Sequence, residues 1–219
     1  FDAYVARPAS GRGPGVIVIQ EIFGVNANIR GVADRLAGEG YFAVAPDLFW
    51  RQERGVDLAA KSEQDWEKAF ALYKGFDVDR GIDDLKATVT ALRSMEGCTG
   101  KVGAVGYCLG GFLAYLMAAR SDIDAAVGYY GVGIDAKLDE ADNISAPLML
   151  HIAKADAYVD AAAQAKIHAA LDNHPMVTIH DYEGVDHAFT RPDGDHYDEA
   201  AAKLANERTS DFLAKLLKG

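Results

Sequence analysis

Three residues of this chain have the types and the order needed for covalent hydrolysis: Cys108, Asp156 and His187. A thiolate is a strong nucleophile, an imidazole can carry its proton, and a carboxylate can hold that imidazole in place. Cys108 lies in "VGAVGYCLGGFLAY" (102–115), where Gly106-Tyr107-Cys108-Leu109-Gly110 has the form G-x-C-x-G. This is the thiol version of the G-x-S-x-G nucleophile elbow, a sharp, strained turn from strand to helix. Side chains two positions to either side would collide there, and Gly106 and Gly110 have none. Gly111 lets the helix start lie close to the sheet. The following helix points its N-terminus at the sulfur and favours thiolate, and the N–H of Leu109 is placed to donate to an oxyanion.

A buried structural cysteine on a tight turn would suit the same glycines, because free cysteine is among the most buried residue types. The run is neither G-x-G-x-x-G nor a phosphate loop ending in GK[ST]. The nucleophile is favoured by two residues downstream of it, in the order acid and then histidine. Asp156 comes just after "PLMLHIA" (147–153), and His187 lies in "GVDHAF", just beyond "MVTIHDY" (176–182).

These residues need elements to hold them. Short apolar runs predict strands at 15–20, 41–45, 101–106, 124–131, 147–153 and 176–182. Helical spacing predicts helices at 26–39, 62–74, 79–95, 109–119, 158–171 and about 197–217, the last with Ala201, Leu204, Ala205, Phe212, Leu213 and Leu216 on one face. Strands alternating with helices predict one α/β domain over 1–219, with a mostly parallel sheet covered on both faces. Ligands bind at the carboxyl ends of strands in such sheets, so functional residues are expected just after 20, 106, 153 and 182. Asp156 and His187 meet that expectation.

The 219 residues are half hydrophobic and one quarter charged, and the net charge is −11. That balance argues against nucleic acid or an anionic membrane surface as partner, and an anionic substrate would need a local arginine or lysine. The two cysteines form no disulfide framework, and with no export signal in view the expectation is a reduced, cytoplasmic protein. Cys98 reads as a loop or surface thiol. The six histidines have no metal spacing, so neither metal nor cofactor is expected. "DVDRG" (77–81) and "DGDHYDE" (193–199) lack the ligand ladder of a calcium loop and read as solvated turns. His151, within a predicted strand, reads as a hydrogen-bonded core residue. His168, His174, His180 and His196 read as exposed.

"QEIFGVN" (20–26), "PDLF" (46–49), "GYCLGG" (106–111), "GYYGVG" (128–133), the Asp156 loop and "DHAF" (186–189) resemble the dienelactone hydrolases, the carboxymethylenebutenolidases, over nearly the whole chain. The resemblance implies an α/β-hydrolase fold, a Cys108–His187–Asp156 triad, and hydrolysis of a dienelactone to maleylacetate in the breakdown of (chloro)aromatics. It implies that Glu21 pairs with a largely neutral resting thiol and helps take its proton when substrate binds. Independently, Glu21 is a charge just after a buried apolar strand, where burial without a partner is costly. The resemblance further implies that the N–H groups of Ile22 and Leu109 form the oxyanion hole. Arg191 would hold the substrate carboxylate, in a pocket that includes Phe23, Trp66, Phe70 and Tyr73.

The sequence departs from the family pattern in the pocket. Trp66 stands where the best-matched members carry a second arginine. Phe70 and Tyr73 stand where tyrosine and tryptophan are common, and Ala188 follows His187 where serine is common. A less polar pocket favours more neutral or bulkier substrates, so a broader esterase or lactonase is an alternative. A thiol redox or stress protein using the Glu21–Cys108 pair is another, although it would have no use for an ordered Asp156 and His187. The chain opens at "FDAYVARP", inside what resemble the family's first strands.

Overall fold

The computed structural model describes residues 1–219. Seven strands form one sheet: β1 (Ala3–Ala6), β2 (Gly13–Ile19), β3 (Phe42–Pro46), β4 (Cys98–Tyr107), β5 (Ala125–Tyr129), β6 (Leu148–Ala153) and β7 (Val177–Tyr182). Their order is β1-β3-β2-β4-β5-β6-β7. β1 is antiparallel to β3, whereas β2–β3, β4–β5, β5–β6 and β6–β7 pair in parallel. Six helices accompany them: α1 (Ala27–Gly38), α2 (Glu63–Lys74), α3 (Val78–Arg93), α4 (Leu109–Arg120), α5 (Ala161–Leu171) and, after the last strand, α6 (Glu199–Leu217). Two 3₁₀ turns lie between β5 and β6, at Ile134–Ala136 and Leu138–Asn143. The chain divides into two compact units, Phe1–Val102 and Gly103–Gly219.

In the first unit β2 is buried along its whole length, as a central strand with apolar neighbours on both faces must be. The loop after it is pinned by backbone bonds to 56–58: Val25 N–H donates to the Val56 carbonyl at 3.1 Å and Leu58 N–H to the Phe23 carbonyl at 3.0 Å. Gly24 takes φ +77°, and a Cβ there would sit 2.0 Å from the Val56 carbonyl oxygen, so only glycine lets the two segments approach. Asn26 caps α1 by accepting from Ile29 N–H at 3.1 Å.

In the second unit α4 is buried from Leu109 to Ala118, apolar on every side as befits a central helix. Its first turn crosses close to β5: a Cβ on Gly111 would lie 2.4 Å from the Tyr129 carbonyl oxygen. The β6–β7 ladder carries the register from Leu148↔Val177 to Ala153↔Tyr182 and delivers two loops from its end side by side.

Two expectations are corrected, and one strand is added to those read from apolar runs. β1 has only one buried residue, Ala6, and so offered no apolar run to find. α5 begins at Ala161, because Asp160 caps it by accepting from Ala163 N–H at 2.8 Å. On α6 the buried stripe is Ala202, Ala205, Thr209, Leu213 and Leu217, while Leu204 is exposed. Thr209 belongs in that stripe because its hydroxyl has partners inside: Tyr129 Oη at 2.5 Å and His151 Nε2 at 3.0 Å.

Candidate active site

Cys108 follows the last residue of β4 and caps α4 with φ +56° and ψ −113°, a conformation that L side chains rarely adopt. The turn is held by backbone bonds: Cys108 N–H donates to the Tyr129 carbonyl at 3.0 Å, and the N–H groups of Gly111 and Phe112 reach the Cys108 carbonyl. A Cβ on Gly106 would lie 1.9 Å from the Gly110 carbonyl oxygen, which is why the position preceding the elbow is glycine. Cys108 is half-buried, so it is not a sealed core thiol. Leu109 opens α4, and the first N–H groups of a helix have no partner within it. The helix dipole adds positive potential beside Cys108, the residue that caps it.

Asp156 is buried on the loop after β6. Its Oδ1 accepts from Tyr158 N–H at 2.8 Å and Val159 N–H at 3.2 Å, a local turn that fixes the carboxylate. Both oxygens face His187, whose Nδ1–H donates at 2.9 Å to Oδ2 and 3.1 Å to Oδ1. That bond sets the tautomer and leaves Nε2 on the side of the sulfur, which lies close enough to act on the ring. Burial pulls the imidazole down. The Cys108 sulfur and the Asp156 carboxylate outweigh it and push the group up to about 10. Two aromatic edges enclose the ring, Tyr130 and Tyr158, each T-shaped at 4.9 Å. Tyr130, at φ +38°, shares a 2.8 Å hydrogen bond with Thr190. Ala188, immediately after the histidine, takes φ +62°.

The structure thus brings Cys108, His187 and Asp156 together. Arg191 is half-exposed on the loop beyond Ala188; its N–H donates to the Ala188 carbonyl at 2.9 Å, and its guanidinium side folds over Gly194. In the first unit, Glu21, Ile22 and Phe23 follow β2 and are all buried. Trp66 on α2 meets the Phe23 ring edge-on at 4.9 Å and lies 5.8 Å from Phe70, with its Nε1–H donating to the Ala60 carbonyl at 3.2 Å. Phe70 is 44% exposed and Tyr73 is 36% exposed.

The other histidines divide differently from expectation. His151 is a buried core residue, bonded through Nδ1 to Tyr182 Oη at 2.8 Å and through Nε2 to Thr209. Burial, with His180 and Arg208 nearby, lowers it well below the usual imidazole range. Of the four expected to be exposed, only His196 is. His168, His174 and His180 are half-buried; His168 bridges Asp172 and Asp181, and His180 stacks on His151. Sequence reading overlooked Tyr130, Tyr158 and Asp186 beside the histidine. The signal for Asp186 was a second acid directly before His187, and Tyr130 lay within the "GYYGVG" run; Tyr158 carried none, because its contact with His187 is long-range.

A nucleophile elbow at the end of a central parallel strand, with acid and histidine on the ends of later strands, defines the α/β-hydrolase fold. The chain belongs to the dienelactone hydrolase family, whose model it matches over residues 1–217. It is 42% identical to the carboxymethylenebutenolidase of Pseudomonas putida, over 99% of this chain and 92% of that one. It is 48% identical to a "Putative carboxymethylenebutenolidase" of Azospirillum brasilense, over 99% and 94% of the two chains. Among solved structures, a "Putative Dienelactone Hydrolase" from Klebsiella pneumoniae superposes with a TM-score of 0.83 at 29% identity, covering 97% of this chain and 92% of that one. The protein is a hydrolase.

Proposed function

We propose that this protein opens a lactone that carries a carboxylate, of the dienelactone type, through a thioester on Cys108. The observation that carries the reading is the His187–Asp156 hydrogen bond beside Cys108, with the cysteine on a positive-φ elbow. The Cys108 thiolate attacks the lactone carbonyl, and the oxyanion accepts from the N–H of Leu109. The ring C–O bond breaks, releasing an enolate that stays attached to the acyl chain and takes up a proton to become a ketone. His187, oriented by Asp156, removes a proton from water, which attacks the thioester and returns the thiol. With dienelactone the product is maleylacetate, which would place the protein in (chloro)aromatic breakdown.

The roles of Glu21 as proton acceptor for the thiol and of Ile22 as second oxyanion donor rest on the family resemblance. The role of Arg191 in holding the carboxylate rests on the same ground, and on the reach of a guanidinium for a carboxylate. A second reading, a broader esterase or lactonase, is favoured by one observation: Trp66, Phe23 and Phe70 form an aromatic cluster where an arginine would have made the wall cationic.

The test is hydrolysis of cis- and trans-dienelactone and of neutral aryl esters by the wild type, Cys108→Ala and Arg191→Ala. The proposal expects lactone turnover lost in Cys108→Ala and a raised KM for the lactone in Arg191→Ala. No turnover of any substrate by the wild type would remove it. Turnover confined to neutral esters, indifferent to Arg191→Ala, would select the second reading.

A further inference from the structure

The His187–Asp156 bond requires two loops to stay in one register beyond the last β6–β7 pair, Ala153↔Tyr182. Asp186 bridges those loops. Its Oδ1 accepts from the N–H of Ala157, the residue after Asp156, at 2.9 Å, and from the N–H of His187 at 2.6 Å. One oxygen therefore ties the backbone beside the acid to the backbone beside the base. The same carboxylate lies 3.7 Å from His196 Nδ1, whose N–H donates to the His187 carbonyl at 3.1 Å. Ala155 N–H, donating to the Val185 carbonyl at 3.0 Å, completes the seam. Asp186 touches none of the reacting atoms, and its side chain is only partly exposed, at 32%. Burial raises its carboxyl, but the two N–H donors outweigh that and hold it below the ordinary carboxylate range. An ordinary turn aspartate would serve one donor on its own loop; this one serves a donor on each of two loops.

We propose that Asp186 is a positioning residue, whose carboxylate holds the Asp156 loop and the His187 loop in the register that lets His187 reach Cys108. This rests on the proposed function, because it assumes that Cys108 reactivity depends on His187. A loop slip of about 1 Å is enough to cost on the order of a hundredfold in rate.

The experiment measures alkylation of Cys108 by iodoacetamide, read from its peptide by mass spectrometry with Cys98 as internal reference, beside kcat and KM for an aryl ester. In Asp186→Ala the alkylation rate at Cys108 and kcat are expected to fall by about tenfold or more, with KM and Cys98 unchanged. Asp186→Asn keeps an oxygen that accepts both N–H groups and is expected within about threefold of wild type. Asp186→Glu keeps the charge but displaces it by one methylene. It is expected to be as slow as Asp186→Ala, and it stands in if the alanine variant does not fold. Wild-type rates in folded Asp186→Ala or in Asp186→Glu, or an asparagine variant as slow as alanine, would overturn the proposal. Wild-type alkylation that His187→Gln leaves unchanged removes the proposed function itself, and the clamp with it.

Discussion

Gly106→Ala is the smallest change that challenges the elbow. The added Cβ would sit 1.9 Å from the Gly110 carbonyl oxygen, 2.3 Å from its carbon and 3.0 Å from Gly111 N. All three are backbone atoms of the first turn of α4, so no side chain can swing aside. Ordinary Cβ contacts stay above 3.0 Å, so the start of α4 must withdraw by about 1 Å. Overpacking a tight site costs about 1–3 kcal/mol, and a backbone-only clash belongs at the upper end, about 3 kcal/mol. For a chain of this size that lowers Tm by roughly 6–12 °C. The same 1 Å displaces Cys108 and Leu109, and a misplacement of that size costs on the order of a hundredfold in kcat. Differential scanning calorimetry and ester turnover below the melting range read the two effects separately. Gly31→Ala is the control: in α1 a Cβ there meets open space, and the better helix former should add about 0.5–1 kcal/mol. A Gly106→Ala enzyme with wild-type Tm and wild-type kcat would refute the elbow geometry.

Further predictions concern the triad, two histidines and the pocket. Asp156→Asn keeps the shape but loses the charge that holds the His187 tautomer, and steady-state assay should show kcat down by about a hundredfold to ten-thousandfold. His187 is raised in the folded state to about 10, so its stabilising contribution is whole below its unfolded value near 6.5 and is lost as pH rises from there through 10. His151 is lowered by burial, so its contribution is whole above about 6.5 and is lost as pH falls below that value. Urea midpoints across pH 5–10 should therefore decline on both flanks, with His187→Gln flattening the alkaline side and His151→Gln the acid side. Trp66→Arg should raise kcat/KM for dienelactone relative to a neutral aryl ester by about tenfold, because a charge-assisted contact replaces an apolar one. An unchanged ratio would detach Trp66 from substrate choice.

The elements around the site could be read in advance because their residues announce themselves locally. The buried strands β2, β3 and β5 are short apolar runs, and the glycine before Cys108 serves close backbone approach. Asp156 and His187 were legible because each follows its own strand in the expected order. What escaped were features made by tertiary contact. β1 exists because it pairs with β3, not because of its own pattern. Thr209 is buried on α6 because His151 and Tyr129 satisfy its hydroxyl from β6 and β5. The enclosure of His187 by Tyr130 and Tyr158, and the bridging oxygen of Asp186, depend on loops that meet only once the sheet has formed.

The central claim is a covalent acyl enzyme on Cys108. His187→Gln should form it slowly and discharge it more slowly still, so acid quench during turnover of dienelactone should trap it for mass spectrometry. Because ring opening releases no fragment, the account predicts an increase equal to the whole lactone mass, on the peptide containing Cys108 and absent in Cys108→Ala. An increase on the Cys98 peptide instead, or full lactone turnover by Cys108→Ala, would contradict it.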